Sequence, residues 1–280
     1  MKTRITFVAI LSAMALTLTL ATSAFAWAPS ACQNHKTSGD DVIYGTSGDD
    51  VLCGGEGDDT FYGKGGNDVI YGGPGDDVIY GEAGNDKLIG GKGSDQLFGA
   101  GGNDRLEGGP GIDLLQGSWG NDHLLGGGDA DWLYGEAGAD RLKGEGGVDR
   151  LFGGSQNDKI FGGVSTDFMY GGTGDDRMAG GGGNDQIFGQ DGADVLKGGG
   201  QRDVLKGGGG DDLIVGGAGK GDVLRGNSGN DIVSDRDGKV DFLYGGGGMD
   251  SCYEDSKMHR GDSTTDKVFG VEKVLKNNPM

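Results

Sequence analysis

The sequence predicts an all-β solenoid, a chain wound into a stack of similar coils, and three observations predict it. Twenty aspartates recur every nine residues without a miss from Asp41 to Asp212, and the rhythm continues with two one-residue slips through Asp222, Asp231, Asp241 and Asp250. Two residues after each of them stands one apolar side chain, from Ile43, Leu52, Phe61 and Ile70 to Leu243, then Cys252. Glycines fill most of the remainder. A fixed short period marks units that bury their apolar face only by stacking on neighbours. The unit reads as glycine turn, carboxylate and a three-residue strand whose middle side chain points inward.

The third observation gives the coil its length. Three residues after the odd aspartates come Tyr44, Tyr62, Tyr80, Phe98, Gln116, Tyr134, Phe152, Tyr170, Phe188 and Lys206, eight of ten aromatic. The even aspartates give Cys53, Tyr71, Ile89, Glu107, Leu125, Lys143, Phe161, Ala179, Lys197 and Val215, with two aromatics. Odd and even units therefore face different ways, and the coil holds eighteen residues and two strands. One face should carry a stacked aromatic ladder.

Taken in order, residues 1–26 read as an export leader. Lys2 and Arg4 form a basic start, an apolar stretch follows, and Ala24-Phe25-Ala26 makes a cleavage site. The mature chain is then expected to begin at Trp27, outside the cytoplasm and without a transmembrane segment. Residues 27–36 form a short strap, 37–253 the solenoid of about twelve coils, and 254–280 a cap or tail. Within that tail Val268–Leu275 is placed to supply a last strand. Cys32 and Cys53 are positioned for a disulfide at the N-terminal edge. A lipid on Cys32 is the alternative, although Pro29-Ser30-Ala31 lacks the leucine that this modification expects. Cys252, some 55 Å away at about 4.8 Å per coil, is beyond disulfide reach.

Without the leader, which carries two basic residues and no acid, the formal charge falls from −20 to −22. Glycine and proline make up 70 of 280 residues. Without a period such a chain reads as disordered; with one, it reads as a scaffold whose carboxylates await cations. No nucleic-acid partner is expected. In Gly54-Gly55-Glu56-Gly57-Asp58-Asp59 the glycines permit positive φ and let carbonyls converge, and Asp59 adds carboxylate oxygens. Such hard oxygen donors suit Ca²⁺ better than zinc or copper. One apolar residue in nine is a thin core, so metal binding is expected to be coupled to folding.

The nonapeptide Gly72-Gly73-Pro74-Gly75-Asp76-Asp77-Val78-Ile79-Tyr80, repeated at Gly207-Gly208-Gly209-Gly210-Asp211-Asp212-Leu213-Ile214-Val215, resembles the G-G-x-G-x-D-x-U-x signature of the repeats-in-toxin calcium-binding family. The resemblance implies a right-handed parallel β-roll with several Ca²⁺ ions held between turns. It places the ligands on turn carbonyls and on Asp41, Asp50, Asp59, Asp68, Asp77, Asp86, Asp95, Asp104, Asp113, Asp122, Asp140, Asp149, Asp176, Asp185, Asp194, Asp212 and Asp231. The best sites are expected within Gly54–Asp113 and Gly171–Asp212. Where Asp129, Gln156, Ser165 and Gln201 replace the fourth glycine, sites are expected to be weak or empty. The ten-residue units ending at Asp222 and Asp241 should make small bulges.

One residue after successive even aspartates come Lys87, Arg105, His123, Arg141, Lys159 and Arg177. Stacked cations are unfavourable alone. They either offset the acidic turns as a solvated face, or form a stripe for an acidic polysaccharide or cell surface. The aromatic ladder likewise stabilises a sheet or offers a binding strip. No catalytic residue and no organic cofactor are expected. His35, His123 and His259 lack metal-ligand spacing, and adjacent carboxylates such as Asp175-Asp176 recur with the turns rather than as one catalytic pair.

Overall fold

The structure, a computed structural model, describes residues 38–235, 237, 239, 241–254, 267–269 and 273–276. The expected leader, the strap with Cys32 and most of the tail fall outside the described residues. These contain 26 strands and no helix. The odd strands form one 13-stranded sheet and the even strands another, with sheet neighbours always two strands apart in sequence. Each coil thus lends one strand to each sheet, and all pairings are parallel. The register is eighteen residues: Val78 faces Gln96, Ile79 faces Leu97 and Tyr80 faces Phe98.

The residue two after each aspartate fills the space between the sheets. From Phe61 through Leu133 and Ile160 to Leu243 and Cys252 this column is buried. Each side chain packs on copies of itself above and below, which is why one apolar residue per strand suffices to make a continuous core.

Most strands are longer than the three residues expected. They run six, as in Val69–Pro74, Trp132–Ala137 and Leu213–Ala218. Alternation of inward and outward positions continues past the core residue to the glycine two further on, which is also buried: Leu133 and Gly135 both point inward. That second inward position admits no side chain. A Cβ on Gly135 would stand 2.6 Å from the Gly153 carbonyl and against Asp140 Oδ2. Glycine here is therefore strand, and the turn shrinks to the residues just before each aspartate.

At the two slips the extra residue lies in the turns, and the strands stay aligned. Register becomes nineteen, with Val204 facing Val223 and Leu213 facing Ile232. An extra residue inside a strand would swap its buried and exposed faces. At the C-terminal end, strands Lys267–Phe269 and Lys273–Lys276 pair with Phe242–Gly247 and Ser251–Glu254, adding a thirteenth coil from the segment read as a last strand. Cys53 is fully buried and disulfide-bonded, and Cys252 is a buried thiol.

Candidate metal sites

Each strand opens directly after its aspartate, so the repeat stacks the carboxylates in two columns. One oxygen of each is used by the scaffold. Asp59 Oδ1 accepts the amide of Asp41 at 2.8 Å, Asp77 Oδ1 that of Asp59 at 2.8 Å, and the pattern runs to Asp250 Oδ1, which accepts the amide of Asp231 at 3.0 Å. The other oxygen has no such role. In all eighteen aspartates from Asp59 to Asp212, Oδ2 is buried and receives no hydrogen bond. It faces the bare inward glycine: a Cβ on Gly63 would lie 2.5 Å from Asp68 Oδ2 and 2.6 Å from the Gly81 carbonyl. Carboxylate and carbonyl oxygens converge at the place that glycine leaves open.

Burial, the largest influence, pushes these carboxyls up, against the amide bond to Oδ1 and with help from neighbouring aspartates in the column. Asp68 and Asp194 reach about 6, Asp77, Asp176 and Asp212 about 7, and Asp95, Asp131 and Asp158 about 8. Holding a carboxylate ionised away from water costs several kcal/mol unless it is paired. The ion pairs Arg105–Glu107, Lys143–Glu145 and Lys239–Asp237 of the described residues do not involve any of the aspartates from Asp59 to Asp212. The donor set is all oxygen, anionic and enclosed, which fits a hard cation such as Ca²⁺.

The expected ligands do not all look alike. Asp59 to Asp113, Asp122, Asp140, Asp149, Asp176, Asp185, Asp194, Asp212 and Asp231 share the orphaned Oδ2. Asp50 does not: its Oδ2 accepts from the Thr46 amide at 2.6 Å and the Thr46 hydroxyl at 3.0 Å. Asp41, in the first turn, is only half-buried. Conversely, Asp131, Asp158, Asp167 and Asp203, which the missing glycines had set aside, carry the same buried, unbonded Oδ2. Asp129, Gln156, Ser165 and Gln201 adopt the glycine conformation, with φ of 75°, 77°, 83° and 75°. Each bears about 1–2 kcal/mol of backbone strain to do so. The unbroken register was the signal that these turns match the rest.

Gly135→Ala is expected to destabilise the calcium-loaded protein by about 1–3 kcal/mol through overpacking. Gly128→Ala, where a Cβ meets nothing within 4 Å, is the control and should be near neutral. Urea unfolding in calcium reads both.

Two further columns are as the spacing indicated. Tyr44, Tyr62, Tyr80 and Phe98 stack at 5.0–5.2 Å between ring centres, Gln116 interrupts, and Tyr134, Phe152, Tyr170 and Phe188 resume at 4.8–5.1 Å. Lys206 Nζ caps this run 4.9 Å from the Phe188 ring. On the other sheet Lys87, Arg105, His123, Arg141, Lys159 and Arg177 stand side by side. Arg105 Nη1 lies 2.8 Å from His123 Nδ1, so that nitrogen accepts. Burial, then Arg105 and Arg141, holds the imidazole below its usual pKa. A depression of about 420 Å³ beside the stripe is lined by His123, Arg141, Lys143 and Phe161.

A family profile described as RTX calcium-binding nonapeptide repeat (4 copies) matches residues 37–70, 62–97, 98–133, 125–160, 152–187, 161–196, 188–221 and 219–252. Among curated proteins none matches the chain. With matches spanning 37–252, on two parallel sheets whose turns from Asp59 to Asp212 each present one buried carboxylate oxygen without a hydrogen bond, the chain belongs to the RTX calcium-binding repeat family.

Proposed function

We propose that the protein is an exported, non-catalytic calcium-binding β-roll that folds as its turns load with several Ca²⁺ ions. The observation that carries this reading is the run of eighteen buried Oδ2 atoms without a hydrogen bond, from Asp59 to Asp212. Calcium, when bound, supplies the positive charge that the scaffold lacks. The chain's own part is to hold Oδ1 on the amide of the preceding coil, which fixes the direction of Oδ2, and to keep the inward glycine bare. The leader-like start at Lys2–Ala26 supports export, and no helix among the described residues is long and apolar enough to cross a membrane. For extracellular modules affinities of about 10⁻⁴–10⁻³ M are expected. The test is a far-UV circular dichroism titration with Ca²⁺ against Mg²⁺; a chain already β-folded in chelator sinks the reading.

A second reading, a calcium-scaffolded module for acidic polysaccharide or cell surfaces, is favoured by one observation. Lys87, Arg141, Lys159 and Arg177 form no ion pair among the described residues, although the chain is strongly acidic. Replacing Lys87, Arg105, Arg141, Lys159 and Arg177 with Ser is expected to leave the calcium transition intact. Retention on an immobilised acidic polysaccharide should then fall to background. Unchanged retention, or none in the parent protein, removes this reading and leaves the first.

A further inference from the structure

Between Gly45 and Gly245 the inward glycine column breaks once. Four residues after each repeat aspartate from Asp41 to Asp241 stands glycine, from Gly45 to Gly245, except after Asp231, where Asp235 stands. Asp235 is 2% exposed, and its amide donates to the Tyr253 carbonyl at 3.2 Å, so the backbone keeps its place in the stack. Its side chain enters the space between coils. A Cβ on Gly216 would collide with Oδ2 of both Asp222 and Asp235. One coil earlier, at Gly198, the same space belongs to Asp203 Oδ2 and the Gly216 carbonyl. An anionic oxygen thus stands where the ordinary turn places a neutral one.

Asp222, Asp235 and Asp241 are all buried and bring carboxylate oxygens within 4.8 Å of one another. Asp222 is 0% exposed, and its Oδ2, aimed at this point, receives no hydrogen bond. Asp241 Oδ1 accepts the amides of Gly221 and Asp222 at 2.8 and 2.9 Å, which fixes the third carboxylate. Among the described residues, Lys239 is engaged by Asp237 Oδ2 at 3.1 Å and by the Ala218 carbonyl at 3.2 Å, and Arg202 Nε donates to the Gly221 carbonyl at 2.9 Å.

The geometry points to a separate Ca²⁺ site near the C-terminal end of the roll, built by Asp222, Asp235 and Asp241, that holds its ion more tightly than the nonapeptide turns. Three carboxylates converge on it where a repeat turn offers one, and affinity in oxygen-ligand sites rises with ligand charge. The arrangement depends on a ten-residue unit and on a residue the repeat does not contain, so it is not a repeat turn. It stands on its own carboxylates and does not require that the repeats fold on calcium.

Native mass spectrometry resolves single ions, and the calcium-loaded full chain is followed through graded chelation. One ion is expected to survive where the others have left, and Asp235→Asn should weaken that ion's retention by about tenfold or more. The circular dichroism midpoint should move less than twofold. Asp235→Gly, which restores the residue found at this position in the other turns from Gly45 to Gly245, gives the same result should the Asn variant fold poorly. Identical ion series in parent and variant overturn the site. A variant that loses ions evenly across the series also overturns it, because Asp235 would then act on the fold alone.

Discussion

In chelator the chain is expected to give the circular dichroism of a coil, and Ca²⁺ is expected to convert it to β structure in one steep transition that Mg²⁺ does not reproduce. The reason is the column of aspartates. Each buried carboxylate without a counter-ion costs several kcal/mol, and eighteen with an unbonded Oδ2 stand in unbroken succession from Asp59 to Asp212. Domains are stable by about 5–15 kcal/mol in total, so the ionised, metal-free roll lies far above the unfolded chain. Steepness follows from architecture, since each coil is stabilised only by its neighbours and loading one turn favours the next. Mg²⁺ demands a tight octahedron and releases water reluctantly, whereas these turns offer fixed oxygens on glycine backbone. A β spectrum that persists in excess chelator would refute the coupling.

Acid should do part of what calcium does. In the roll these carboxyls are raised by burial to about 6 for Asp68, about 7 for Asp77 and about 8 for Asp95, against about 3.9 in an unfolded chain. The folded state therefore holds more protons than the unfolded one between those values. Its stability from these groups is complete below about pH 4 and is lost as pH climbs from there through the folded values of about 6 to 8. Dilute metal-free chain should gain β signal on acidification from pH 8 to 5 and lose it on return. Calcium reverses the dependence, because protons compete for Oδ2, and its midpoint concentration should rise as pH falls through the same window. A metal-free chain whose spectrum ignores acid would show that buried Asp charge is not what opposes folding.

Much of this architecture was legible as period. An aspartate every nine residues with an apolar residue two further on determines the stack, and the alternation of Tyr134 with Lys143 or Tyr170 with Ala179 reveals two strands per coil. What the pattern concealed depends on contacts between coils. Thr46 satisfies Asp50 from four residues away, within one turn. Ser165 and Gln156 look like failed glycines until the fold shows them at the positive φ of the glycines they replace. Strand length was underestimated because a glycine pair reads as a turn, whereas here the first glycine is an inward strand position that must remain without a side chain. Asp235 is plain in the sequence as an exception, but its convergence with Asp222 and Asp241 requires the fold.

The alternation of sheets also sets how such a gene can lengthen or shorten. Excising eighteen residues removes one storey and leaves every column continuous. Excising nine preserves the aspartate rhythm yet exchanges the two sides of everything downstream: Tyr134, Phe152 and Tyr170 would continue the column of Glu107, while Arg141 and Lys159 would follow Gln96. Tandem arrays of this protein should therefore drift in length by pairs of nonapeptides, because the quantum of inheritance is the coil and not the motif.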